Sequence, residues 1–234
     1  MVFSSRDGLL EFMGKLPWGG AVLIEPRDCP FILEKSSLNV ILSEDGFTKT
    51  FFAANIVDYV LGEGTIVYVD LDTIFTAFLN TMIHDSENLD NLLIFQPDEQ
   101  TVEKTMAQVC SLSSPYLRFI VLDSMTTLYH LFDGKAPSDV NRKVSIYLSL
   151  LQSMSKRFDI PVLVTSMMRA RKMGQTGPRP WLTSPTGGRA LLRAKIVLKL
   201  SKTSSHINID AIKHNETFIG KTFKLPLRVE WSTH

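Results

Sequence analysis

Two cysteines in 234 residues, Cys29 and Cys110, are too few and too widely spaced for a disulfide framework or a thiolate metal site. Free thiols in a reducing, cytoplasmic compartment are the resulting expectation. Long apolar runs are also lacking, so no segment has the roughly 20 residues a membrane-spanning helix needs. Met1 to Lys15 contains Arg6 and two short apolar clusters but no signal-peptide core, and no membrane partner is expected. Net charge is nearly absent, since 25 Lys and Arg against 24 Asp and Glu leave +1, which excludes binding of polyanions by bulk charge. Acid is missing from one long stretch. Between Asp159 and Asp210 there is no Asp or Glu, while Arg169, Arg171, Lys172, Arg179, Arg189, Arg193, Lys195, Lys199 and Lys202 all fall there. Such asymmetry points to an anionic partner near the C-terminal half, or to a solvated basic surface.

What is present is an ordinary globular composition, 44% hydrophobic and 21% charged, without repeats or low-complexity segments. Apolar runs alternate with helical patterns. Strands are expected at Ala21 to Glu25, Asn39 to Leu42, Thr65 to Asp70, Leu92 to Phe95, Leu117 to Asp123 and Pro161 to Thr165. Helices are expected at about Thr48 to Leu61, Glu99 to Leu112 and Asp139 to Phe158, the last with Ser138 as N-cap. Continuous apolar strands joined by helices imply an α/β fold with a mostly parallel central sheet. Ala194 to Lys202, His206 to His214 and Phe218 to Trp231 read as antiparallel strands at its C-terminal edge. Met168 to Gly188 reads as a long loop rich in Gly, Pro, Thr and Arg, a length that marks a functional or disordered connection.

Three constellations could carry chemistry. Ser43-Glu44-Asp45-Gly46-Phe47-Thr48-Lys49-Thr50 lies between a strand and a helix, where a phosphate-binding GxxxxGK[ST] loop belongs. In that motif backbone N–H groups wrap the phosphates, the Lys reaches the β- and γ-phosphates, and the hydroxyl holds Mg²⁺. Lys49 and Thr50 are in place, whereas Ser43 and Thr48 stand where the glycines would let backbone approach phosphate. A polar turn with an incidental Lys-Thr would read the same way. Phe119-Ile120-Val121-Leu122-Asp123-Ser124 is an apolar strand ending in a carboxylate, the arrangement that holds a Mg²⁺ shell at the carboxyl end of a sheet. Tyr68-Val69-Asp70-Leu71-Asp72-Thr73-Ile74-Phe75 places Asp72 just past another strand, either to orient a water or as a strand-ending Asx turn.

Taken in order, these segments resemble the RadA/RecA-type recombinases. That family carries GEFGSGKT, of which Glu44, Gly46, Lys49 and Thr50 are kept; YIDTEGTF, matched by Tyr68, Asp70 and Phe75; and VVDS, matched by Val121, Asp123 and Ser124. The order and spacing agree from about Leu38 to Leu200, where Gly187-Gly188 closes the family's second DNA-binding loop. The resemblance implies a RecA-like core over 1–234 with no separate N-terminal helix-hairpin-helix domain. It also implies ATP and Mg²⁺ as ligands, Thr50 and Asp123 as the Mg²⁺ residues, and Asp72 in the place of the catalytic Glu. Arg169, Arg171, Lys172, Arg179, Trp181 and Arg189 become the DNA contacts, suited to single strands by phosphate pairing and base stacking.

The departures narrow the implied function. Ser166-Met167 replaces the family's Asn-Gln pair, and Met has no amide with which to sense a γ-phosphate. The family's Phe-x-x-Ala polymerisation motif is not visible in an N-terminal linker; Phe51-Phe52-Ala53-Ala54 fits the string but falls on the expected helix. A recombinase paralogue is therefore expected: an accessory factor in recombination and repair with weak or absent ATP hydrolysis. Its expected partners are single-stranded DNA and a recombinase or another RecA-fold paralogue, with small homo-oligomers allowed. The alternatives are a RecA-fold scaffold subunit of a non-DNA complex and a slow DNA-dependent ATPase.

Overall fold

Strands buried on both faces organise the centre. The computed structural model describes residues 11, 21–24, 28–29, 32–84, 86–172, 178–181 and 193–227, with the backbone alone for 21–23, 86, 169–172 and 178–181. In chain order the elements are β1 (Ala21–Leu23), β2 (Ser37–Ser43), α1 (Gly46–Val60), β3 (Thr65–Asp70), α2 (Ile74–Ala77), α3 (Leu79–Met82) and β4 (Leu92–Phe95). There follow α4 (Val102–Ser111), β5 (Leu117–Asp123), α5 (Met125–His130), α6 (Pro137–Phe158) and β6 (Pro161–Met167). The last are β7 (Arg169–Lys172), β8 (Pro178–Trp181), β9 (Ile196–Lys202), β10 (His206–Lys213) and β11 (Thr222–Pro226).

Nine strands form one sheet in the order β1-β11-β10-β9-β2-β6-β5-β3-β4. From β9 to β4 every pairing is parallel, whereas β10 runs antiparallel to both β9 and β11, and β1 joins β11 in parallel. This is the expected RecA-like α/β sheet with antiparallel strands at the C-terminal edge. Alternate side chains divide between two cores. Ile41, Tyr68, Phe119, Val121, Leu163 and Leu198 pack with Phe52, Ala53, Ile56 and Val57 of α1. Val40, Val67, Ile120, Leu122, Val162 and Val164 pack with Met106 and Val109 of α4, Leu128 of α5, and Val144, Leu148 and Leu151 of α6. Among the described residues no helix is long and apolar enough to cross a membrane.

Several expected boundaries move, each for a local reason. Helix α6 starts at Pro137 with Ala136 at the cap and no side-chain cap, so Ser138 is not the N-cap. Pro at the first helical position presets φ and has no N–H to satisfy. Helix α4 starts at Val102 rather than Glu99, because the Asp98 carboxylate takes the N–H groups of Gln100 and Thr101 in a turn. Phe218 lies in a turn held by Asn215, and β11 begins only at Thr222, after Gly220 at φ 73°. The expected loop at Met168 to Gly188 contains an antiparallel hairpin, β7 with β8, in which Arg171 is paired with Arg179 and Arg169 with Trp181. Residues 173–177 and 182–192, with Arg189 and Gly187-Gly188, lie outside the described residues.

Candidate functional site

At the carboxyl ends of β2, β5 and β3 the three sequence constellations come together. Ser43 ends β2 and α1 begins at Gly46, so only Glu44 and Asp45 separate strand from helix. The phosphate-wrapping stretch of the motif is thus reduced to a two-residue turn. Asp45 is extended and caps the helix: its carboxylate accepts from the N–H of Phe47 at 3.2 Å and of Thr48 at 3.0 Å, and from the Thr48 hydroxyl. These early amides are the donors that a helix N-terminus otherwise offers to an anion. The Ser43 hydroxyl tightens the turn, donating to the Asp45 carbonyl at 2.9 Å and accepting from its N–H at 3.2 Å. Gly46 meets no steric demand there, since an added Cβ would sit at ordinary contact, 3.4 Å from Ile74 Cδ1. Burial works against the Asp45 charge, but the Thr48 and Phe47 hydrogen bonds and nearby Lys202 hold the carboxyl below its usual value.

Lys49 points inward and is fully buried. Its ammonium pairs with Asp72 at 2.5 Å and with Asp123, and lies 3.3 Å from the Thr50 hydroxyl. Burial would lower its pKa; the Asp123 and Asp72 carboxylates outweigh that and keep it above the ordinary lysine value. Asp123 also accepts from Thr50 at 2.7 Å, from Tyr68 at 2.8 Å and from Thr165. Asp72 is fixed by the Ser124 hydroxyl at 3.2 Å and by Thr127. Its chain is set by Leu71 N–H donating to the Asp123 carbonyl at 2.6 Å. The Asp123–Ser124 peptide bond is cis. On β3, in register with Asp123, Asp70 takes the Thr76 N–H and hydroxyl on one oxygen while the other has no donor among the described residues. Burial, with the Asp123 and Asp72 charges, raises the Asp70 carboxyl despite the Thr76 bonds.

The sequence reading brought Lys49, Thr50, Asp72 and Asp123 to one point, and they meet there. It missed the partners that satisfy them: Tyr68, Ser124, Thr127 and Thr165. A tyrosine inside an apolar strand carries a signal, because a buried hydroxyl needs a partner; Tyr68 also stacks on Phe75, with ring centroids 3.8 Å apart. At the sensor position Ser166 meets Thr126 at 3.1 Å and the Met167 N–H donates to the Thr126 hydroxyl at 2.9 Å. Glu44 and Phe47 are exposed on the turn and the first helical residues, and Phe47 lies 5.7 Å from Phe78, edge to face.

As arranged here, the donors that would meet a nucleoside triphosphate with Mg²⁺ already have partners within the chain. The helix amides hold the Asp45 carboxylate, the lysine is neutralised by two carboxylates, and the Thr50 hydroxyl donates to Asp123. Among the described side chains the carboxylates of Asp45, Asp70, Asp72 and Asp123 gather here, with Lys49 paired to two of them and Lys202 near Asp45. Among the described residues no group of three His, Cys, Asp or Glu side chains is arranged to hold a metal ion.

Comparisons with known proteins agree with this picture of the fold. No protein-family model matches the chain. The DNA repair and recombination protein RadB of Archaeoglobus fulgidus is 19% identical over 197 residues, spanning 81% of this chain and 86% of that protein. Among solved structures, the crystal structure of the RadB recombinase aligns with a TM-score of 0.60 at 16% identity, over 82% of this chain and 87% of that one. The curated relative bears out the resemblance to RadA/RecA-type recombinase paralogues, and the structural match shows the RecA-like fold.

Proposed function

We propose that this chain is a cytoplasmic recombinase paralogue, an accessory factor in homologous recombination and DNA repair that contacts single-stranded DNA and a recombinase and hydrolyses ATP weakly or not at all. The resemblance to RadB, a protein of DNA repair and recombination, supports the process. One observation carries the accessory role: Lys49 is spent as the counter-ion of Asp72 and Asp123, and Asp45 takes the helix amides. Asp72 is one methylene shorter than the glutamate it replaces, and a reacting water misplaced by about 1 Å loses on the order of 100-fold in rate. The basic segment from Arg169 to Arg189 is the proposed DNA contact, with Trp181 as a stacking residue. Without a glutamine at Met167, DNA binding is independent of nucleotide.

The test is a paired titration of the purified protein: labelled ATP with and without Mg²⁺, and labelled single-stranded DNA with and without ATP. The expected result is DNA binding unaffected by ATP, and turnover too slow to separate from background. Turnover at the rate of an active recombinase, abolished by Lys49→Ala, would refute the closed site. Absence of DNA binding would favour a scaffold subunit instead.

A further inference from the structure

Beyond β9 the sheet is two-faced. One face of β9, β10 and β11 contributes Leu198, Leu200, Ile207, Ile209, Phe223 and Leu225 to the core against α1. Period-two alternation sends the intervening residues to the other side, and there the composition changes. Two rows cross the three strands in register: Ser201, Asn208, Lys224 and, beside it, Lys199, Asp210, Thr222. All six are half-buried. The helical layer on this side of the sheet ends at Val197, and neither row contains an apolar side chain.

The hydrogen-bonding state of the rows is incomplete. Asp210 accepts from the Thr222 hydroxyl at 2.6 Å. Asn208 Oδ1 is buried without a donor among the described residues. Neither Lys199 nor Lys224 has a carboxylate within 4 Å among the described residues, although Lys199 stands opposite Asp210 in the ladder. Two unpaired ammonium groups, hydroxyls and an amide with spare capacity make a face that is cationic and rich in donors. The core of a protein interface is more apolar than its rim, whereas the two rows are themselves polar and meet apolar residues only at their ends, where Leu42 is in register with Lys199 and Leu23 with Lys224. Ammonium groups with amide and hydroxyl donors match the phosphate and sugar oxygens of a nucleic acid, the groups that receive most hydrogen bonds in such complexes.

We infer that the polar face of β9, β10 and β11 is a second contact surface for single-stranded nucleic acid, with Lys199 and Lys224 on phosphates and Asn208 and Ser201 beside them. The inference rests on the DNA-binding reading above and extends it from the basic segment 169–189 onto the sheet. Lys199 belongs to the same acid-free stretch as that segment, whereas Lys224 comes from a different strand and is brought to the row only by folding. The two rows contain no aromatic side chain, so they hold backbone and leave the bases unread.

The experiment is a titration of a labelled thymidine oligonucleotide at several salt concentrations. It compares wild type, the double variant Lys199→Ala with Lys224→Ala, Asp210→Asn, and the variant with Arg169, Arg171 and Lys172 changed to Ala. Each lost phosphate contact should reduce the log–log salt slope by about 0.7 on a single strand, so the lysine double variant should lose about 1.4 from the slope and bind more weakly. Asp210→Asn removes the acid of the rows and should bind several-fold more tightly, a gain that a misfolded variant cannot produce. A double variant with the wild-type slope, together with an Asp210→Asn affinity equal to wild type, overturns the inference while a weakened 169–172 variant leaves the DNA reading standing. A wild-type protein that binds no oligonucleotide at low salt overturns both.

Discussion

Lys49 shows how far a single residue can be read from sequence. Its position after a buried strand marks it as a candidate phosphate-loop lysine, and it lies with Asp72 and Asp123 at the carboxyl ends of the central strands. What it touches was not legible, because Asp72 and Asp123 arrive from β3 and β5 and only the sheet order brings them within reach. Removing one member of a buried charge cluster leaves the others uncompensated, at a cost of about 3–5 kcal/mol. Lys49→Ala should therefore shift the denaturant midpoint strongly, whereas a lysine kept for ATP alone would leave it in place. Because the folded pKa of Lys49 is raised, its contribution is complete below the ordinary lysine value of about 10.4 and is lost as pH rises through the folded value. Melting curves above about pH 10.4 should show that loss in wild type and not in Lys49→Met. Asp45 titrates with the opposite sign. Its folded pKa is lowered, so its capping contribution is present above the ordinary aspartate value of about 3.9 and fades as pH falls through the folded value. Asp45→Ala should lose about 1 kcal/mol in urea unfolding at neutral pH, and Asp45→Asn, itself a good cap, should keep most of it. An Asp45→Ala protein as stable as wild type would mean that the turn, rather than the carboxylate, starts α1.

Elements built from short apolar runs were legible to the residue: β3, β4 and β5 occupy the expected spans, since runs of four to seven residues rich in Val, Ile and Leu between turn signals are too short for most helices and suit a strand. Elements fixed by other forces were not. The Arg-Ala-Arg-Lys sequence of β7 has no strand pattern, and its pairing with β8 supplies the order that composition withholds. The start of α6 turned on Pro137 rather than on a hydroxyl cap. Gly64 marks an element boundary whose requirement can be tested directly. It precedes β3 at φ 149°, and an added Cβ would lie 2.4 Å from the Tyr116 carbonyl oxygen, a backbone atom that β5 holds in place. Gly64→Ala should cost about 1–3 kcal/mol, the range for overpacking a fixed site, read as a lower urea midpoint with an unchanged slope. A midpoint equal to wild type would show that the turn yields more easily than its contacts indicate.

For the whole molecule, collinear motifs made the RecA-like architecture legible, whereas the mutual pairing of Lys49, Asp72 and Asp123 was not, because side-chain reach decides it. The same distinction governs assembly. The chain's only Phe-x-x-Ala string, Phe51 to Ala54, lies within α1 with Ala54 buried and Phe51 half-buried against the core, so it sits on a packed helix and not in an extended linker. Electron microscopy of the protein with long single-stranded DNA should show particles or short oligomers; extended helical filaments would contradict this. Sheet order also bears on how the molecule is made. Strand β1 is synthesised well before its partner β11, with Ala21 paired to Thr222. At about 5–20 residues per second, the 200 residues between Ala21 and Thr222 keep β1 waiting for its partner for roughly 10–40 s. During translation β1 can therefore join the sheet only after β11 has been made, like a clasp closed only after the garment is on.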